Sequence, residues 1–209
     1  MSKVALSDCR GPLADLLDKL SGEQGSDWLE NLKRMLRKDS APVRTRRDED
    51  GIIYFSVTSD GTTGEGWITR LEAKGFRVGN YAKQLLRSYD FQPTKGVTTE
   101  VAVLKGSRWH DDDRITKKIR AEAFKMKFAS INAEMACLIR EYFTDQALKE
   151  LGLNWINIMH DPIKVNGETY RLVVHRNDGG GWLDAHDGIA YDGWSRSDGF
   201  AFAVPQVSP

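Results

Sequence analysis

Cysteine is nearly missing from this 209-residue chain: Cys9 and Cys137 are the only two, far apart and in unlike surroundings. That argues against a disulfide framework or a cysteine metal site. Net charge is missing too, 30 basic residues being matched by 30 acidic ones, so no global field favours nucleic acid or a membrane surface. No apolar run approaches the length of a membrane span. No signal-peptide core follows Met1, because Ser2-Lys3 leads into only Val4-Ala5-Leu6 before Asp8; a cytoplasmic protein is the expectation. The His-Glu-x-x-His helix, the Cys-x-x-Cys pair and the nucleophile elbow are all absent. The Gly61-x-x-Gly64-x-Gly66 spacing fits neither a dinucleotide fingerprint nor a P-loop. These absences argue against an enzyme and imply no cofactor.

One further absence is local. No Glu follows Glu168 and no Lys follows Lys164, although both are frequent upstream. The stretch from Arg176 to Gly199 carries only Asp, Arg and His as charges, with several Gly, two Trp and a Tyr. Gly supplies backbone freedom, and Asp and Ser hydrogen-bond their own backbone. Trp and Tyr supply contact area for few frozen torsions, as on antibody paratopes. The stretch reads as a binding loop with a short strand around Trp182, closed by a last strand through Phe200 and Phe202. Every residue from Asn177 to Gly199 except the two Trp can be written with a codon ending in a pyrimidine. Two readings stay open: an ordinary surface loop, or a loop whose codons were rewritten at their adenines.

Upstream, Leu13, Leu16, Leu17 and Leu20 form a helical stripe, and a second helix from Ser26 places Trp28, Leu32 and Leu36 on one side. Residues 1–50 are thus expected to be a helical hairpin, packed through Leu16, Leu20, Trp28, Leu32 and Leu36, followed by a charged linker from Ser40 to Gly51. Residues 51–209 form the α+β domain. Strands are predicted at 52–57, 97–104, 153–159 and 169–174, the last entered through an Asn166-Gly167 turn. Helices are predicted around Trp67–Leu71, Tyr81–Leu86, Arg114–Phe128 and Ala133–Phe143, with a short one capped by Thr144. Asn154 and Asn157 interrupt alternation, which suggests that the 153–159 strand is buried on most sides. Ile156, Ile158, Val173, Phe200 and Phe202 should share one sheet and core with Val101 and Val103.

From Val97 the order is strand, two helices, strand, turn, strand, long loop, strand, which is the element order of the C-type lectin fold. The segments Gly75-Phe-Arg-Val78, Asp90-Phe-Gln-Pro-Thr94, Asn132-Ala-Glu134 and Met159-His-Asp-Pro-Ile163 resemble an uncharacterised family of paralogous proteins from candidate-phylum bacteria. The tail segments Gly181-Trp-Leu183, Trp194-Ser-Arg196 and 198–206 are similar to variable proteins of diversity-generating retroelements. That resemblance implies a C-type-lectin-like mixed sheet with two helices, preceded by an N-terminal helical region. It also implies a diversified loop at 176–199 that binds a protein or other macromolecular ligand. The contact set is then Trp182, Asp184, His186, Asp187, Ile189, Tyr191, Asp192, Ser195, Arg196 and Ser197. A nucleic-acid-binding regulator using Lys33–Lys38, Arg44, Arg46, Arg47, Lys117, Lys118, Arg120, Lys125 and Lys127 is the first alternative, and zero net charge weighs against it. A metal-dependent hydrolase built on His160, Asp161, His175, Asp184 and His186 is the second.

Overall fold

The computed structural model describes residues 10–22, 25–26, 28–29, 32, 46–187 and 193–205. The chain divides into two compact units, 1–44 and 45–209. In the first, helix α1 runs Arg10–Ser21, with Asp15 and Lys19 paired one turn apart at 2.7 Å. The expected buried stripe is not realised among the described residues. Leu13, Leu17, Trp28 and Leu29 are all exposed, while Leu16, Leu20 and Leu32 are half-buried. Leu36 lies outside the described residues.

The second unit is α+β. Its mixed sheet contains β1 (Arg46–Glu49), β2 (Ile52–Asp60), β3 (Arg77–Val78), β4 (Lys95–Lys105), β5 (Trp155–Ile158), β6 (Ile163–Val165), β7 (Glu168–Asn177), β8 (Gly180–Asp187) and β9 (Asp198–Val204). The order across the sheet is β1-β2-β4-β9-β5-β7-β8-β3, with β6 attached to β7. Five helices accompany it among the described residues: α2 (Gly64–Ala73), α3 (Asn80–Leu86), α4 (Thr116–Lys125), α5 (Met135–Tyr142) and α6 (Asp145–Glu150). Thr63 and Thr144 cap α2 and α6, each hydroxyl accepting from a backbone N–H three residues on. Asn166 and Gly167 both take positive φ, 54° and 93°, as the predicted two-residue turn requires.

Two corrections concern strands. Arg46–Glu49, read as linker, forms an edge strand against β2 through an Asp50-Gly51 turn with φ of 51° and 74°. Charged residues suit an exposed edge, where they discourage pairing with other chains. Residues 176–187, read as loop with a short strand around Trp182, complete a long β7–β8 hairpin in register from Tyr170↔Asp187 to Asn177↔Gly180, so the strand is present and longer than expected. Gly180 turns the chain at φ 108°, a conformation that a side chain rarely adopts.

Strand alternation divides the apolar residues between two faces. Ile53, Phe55, Val101, Val103, Ile156, Ile158, Leu172, Val174 and Leu183 join α2, α3, α5 and α6 in the larger core. Phe200, Phe202, Ala102 and Leu104 face the other way and pack with Ile119 and Ala123 of α4. Thus Ile156, Ile158, Val101 and Val103 share a sheet with Phe200 and Phe202, as expected, but not a core. Successive residues of a strand cannot serve one face. Among the described residues, no helix is long and apolar enough to cross a membrane.

Candidate ligand-binding face

The face carrying Phe200 and Phe202 is the one on which the late strands display their polar and aromatic residues. Pairing aligns Asp198, Trp155, His175, Trp182 and Arg77 in one row across β9, β5, β7, β8 and β3. Phe200, Asn157, Val173 and Asp184 form the next row, and Arg171 stands opposite His186 beyond it. Cross-strand neighbours of this kind touch, and here they stack. The His175 ring lies between Trp155, 4.2 Å away at 14°, and Trp182, 5.8 Å away at 4°. The Arg77 guanidinium sits 5.2 Å from the Trp182 ring on the far side.

Asp184 reaches back to this row. Its Oδ2 is 3.7 Å from His175 Nε2, an electrostatic contact rather than a hydrogen bond, and its Oδ1 accepts from the Ala185 N–H at 2.8 Å. Burial would raise the Asp184 carboxyl, but the interactions with His175 and the Ala185 N–H outweigh it and hold the group below its ordinary range. Asp184 is therefore partly structural. His186 and Trp194 meet at 5.2 Å, and both are half-buried. Trp194 donates its indole N–H to Thr116 Oγ1 at 3.0 Å and stacks edge-on against Phe200. Burial pushes the Asp198 carboxyl up, although the Ser195 N–H donates to it.

The predicted contact residues are therefore distributed as follows. Trp182, Asp184 and His186 share the row face of β8, and Asp187 ends that strand in an exposed position. Ser195 and Arg196 are exposed beyond Trp194, and Ser197 is half-buried, accepting from Asn154 Nδ2 at 3.2 Å. Ile189, Tyr191 and Asp192 lie outside the described residues. The sequence reading missed Trp155 and Arg77, whose places depend on pairings between distant segments. Arg140 was missed as well: it is wholly buried, and it donates to the carbonyls of His175 and Phe143 and to the Asp145 carboxylate. A Cβ on Gly181 would press on the Arg140–Asp145 pair, which explains a glycine within β8.

Of the residues suggested for a hydrolase, His175, Asp184 and His186 share the row face, whereas His160 stands apart from them. His160 is buried, its Nδ1 donates to the Asp161 carbonyl at 2.6 Å, and its Nε2 accepts from the Leu172 N–H at 2.8 Å. Both nitrogens are occupied, so neither can ligate a metal or take a proton from substrate. Among the described residues no three His, Cys, Asp or Glu stand where they could hold a metal ion. Asp111 and Asp113 pair instead with Arg114 and Lys118. Of the basic residues, Arg120 donates to the carbonyls of Met159 and His160, and Arg47 pairs with Glu100; Lys33–Lys38 and Arg44 lie outside the described residues.

The buried His160 gives an expected pH dependence. Burial pushes its pKa down from 6.5 to about 4, so the unfolded chain binds a proton there before the folded one does. Stability is therefore full above pH 6.5 and falls as pH drops towards 4, by on the order of 3 kcal/mol. Urea titrations of wild type and His160→Gln should differ in slope across that window and run parallel above it. An unchanged acid limb in the variant would contradict the assignment.

No protein-family model matches the chain, and no curated protein or solved structure matches it either.

Proposed function

We propose that this protein is a ligand-binding protein whose specificity resides on the face formed by β8 and residues 193–197. The observation that carries this reading is the division of labour along β8. Leu183 and Ala185 face the larger core, while Trp182, Asp184 and His186 face outwards beside Trp194, half-buried. Side chains on the outer face can be exchanged without disturbing the core, because alternate residues of a strand serve opposite faces. Trp and Arg, both present here as Trp182, Trp194 and Arg196, are among the residue types that dominate interface energies.

The scaffold reading is C-type-lectin-like over residues 95–205. Its support is that β4, the first strand of that stretch, pairs with β9, the last, with helices α4, α5 and α6 and strands β5, β6, β7 and β8 between them in sequence. The likeness of the tail to retroelement variable proteins adds a genetic expectation. A near-copy of the codons for 177–199, differing only at adenines and lying beside a reverse transcriptase gene, would tie the loop to diversification.

The function is tested with a phage-displayed random peptide library selected on the immobilised protein. Selected peptides should bind the triple variant His186→Ala, Ser195→Ala, Arg196→Ala at least tenfold more weakly. Its melting temperature should stay within about 2 °C of wild type, since polar surface changes usually alter stability little. Peptides that bind the variant as tightly as wild type would place the binding surface elsewhere and sink the reading.

A further inference from the structure

The proposed ligand face contains a slot that nothing so far has used. It lies between β5, β7 and β8 on one side and the start of α4 on the other, and its empty space, counted to the solvent at its mouth, is about 250 Å³. Its inner part has room for a single water-sized group. Val173 and Met159 supply apolar wall, Trp194 and His186 form the lip, and Thr116, Arg171 and Asn157 complete the lining.

Asn157 is the informative residue. It is 3% exposed, its Nδ2 donates to the Gly199 carbonyl at 3.4 Å, and its Oδ1 has no partner. Flipping the amide does not help, because Oδ1 would then confront the Gly199 carbonyl, acceptor against acceptor. A buried acceptor without a donor is costly and rare in native proteins. The orphan atom belongs to a residue that lines the slot, which makes a donor at the inner end of the slot its candidate partner.

The other polar groups narrow the chemistry. His186 Nδ1 lies 2.6 Å from the Asp187 carbonyl oxygen and donates to it, so in the neutral ring Nε2 is left as a second acceptor at the lip. An anion is attracted by the Arg171 guanidinium but brings only acceptors, so it leaves Asn157 Oδ1 unsatisfied. A cation enters beside the Arg171 guanidinium, which burial and the neighbouring Arg120 already make less willing to hold its charge. What remains is neutral, small and donating.

We infer that the slot receives one neutral hydrogen-bond donor, an alcohol hydroxyl or a primary amide, at the tip of an otherwise apolar ligand group. Asn157 Oδ1 accepts from it, and Trp194 and Val173 pack against the carbon that carries it. This inference rests on the reading of the surrounding surface as the ligand face, and it names what that face selects.

The test uses the intact protein and four small probes followed by NMR: acetamide and ethanol as neutral donors, acetate as an anion, and tetramethylammonium as a cation without donors. Acetamide and ethanol should shift the Asn157 side-chain amide and the Trp194 indole N–H saturably; acetate and tetramethylammonium should not. Asn157→Leu should abolish the Trp194 response while the protein stays folded, because an apolar group of similar shape replaces an unsatisfied one. If no probe gives a saturable shift, the slot holds a water only and the inference falls. Equal shifts from acetate, or a persistent response in Asn157→Leu, also overturn it. Should the leucine variant fail to fold, the contrast between donor and non-donor probes in wild type still decides. Peptides that bind the triple variant at least tenfold more weakly than wild type, while the slot stays silent, reject this inference alone. Loss of the ligand-face reading shows instead in the peptide selection.

Discussion

Phe200→Ala should lower the stability of the α+β unit by about 3–5 kcal/mol, the usual cost of emptying a buried phenylalanine site. Phe200 is completely buried, and its ring meets Trp109 and Trp194 edge-on, at 5.9 Å and 5.8 Å. The strand that carries it pairs on both sides, with β4 and with β5. The site has little means of collapsing, because the sheet holds the backbone while α4 covers the face. The same substitution takes a wall from beneath Trp194, so the indole signal should broaden even at temperatures where the variant remains folded. Thermal melts followed by near- and far-ultraviolet circular dichroism give the comparison. A variant melting within a degree or two of wild type would mean that the last strand does not lie in the middle of the sheet.

Arg140→Ala should cost a similar amount, about 3–5 kcal/mol, by a different route. The guanidinium is wholly buried, packs 4.4 Å from the Phe76 ring and satisfies two backbone carbonyls as well as Asp145. Removing it strands those acceptors, and buried unpaired acceptors cost more than a paired contact gains. Lysine should recover little, since one ammonium cannot reproduce the planar fork that spans three partners. Urea unfolding should show the midpoint fall with an unchanged slope in the alanine variant. Because one of the stranded carbonyls is that of His175, the Trp155–His175–Trp182 stack should loosen too, read as altered tryptophan fluorescence before unfolding begins. Native stability in Arg140→Ala would mean that the acceptors find other partners.

Much of this architecture was legible because alternation and turn chemistry are local properties. Ile52–Val57, Val97–Leu104 and Phe200–Val204 announce themselves through β-branched and aromatic residues, and Asn166-Gly167 through the positive φ that few other pairs tolerate. What stayed hidden depends on partners. A short strand around Trp182 was legible but its extent from Gly180 to Asp187 was not, because the flanking Gly, Asp and His have loop composition and extend the strand only where β7 offers a complete ladder. Arg46–Glu49 has no apolar residue to suggest a strand, and it pairs because the Asp50-Gly51 turn delivers it to β2. The two-residue β3 is parallel to β8, a pairing that no local pattern encodes.

The site divides in the same way. Trp182, Asp184 and His186 were readable as a group, for their composition departs from the rest of the chain. Their common face was not, because a loop assigns no faces. Asp184 looked free to vary, yet its contacts with His175 and the Ala185 N–H make it a support as much as a contact. The irregular Asn157 did signal burial. Its missing hydrogen-bond partner depends on residues as distant as Thr116 and Trp194, which only folding brings to the slot.

The position of β9 has a consequence for quality control. It follows every other strand in sequence and yet occupies the middle of the sheet, so both faces remain unfinished until it inserts. Contacts between distant segments form slowly, and an unfinished sheet leaves two pairing edges open. A frameshift or stop codon anywhere before Asp198 removes this strand. Such a chain is expected to aggregate or be degraded. Only chains whose reading frame runs through Val204 can complete the sheet.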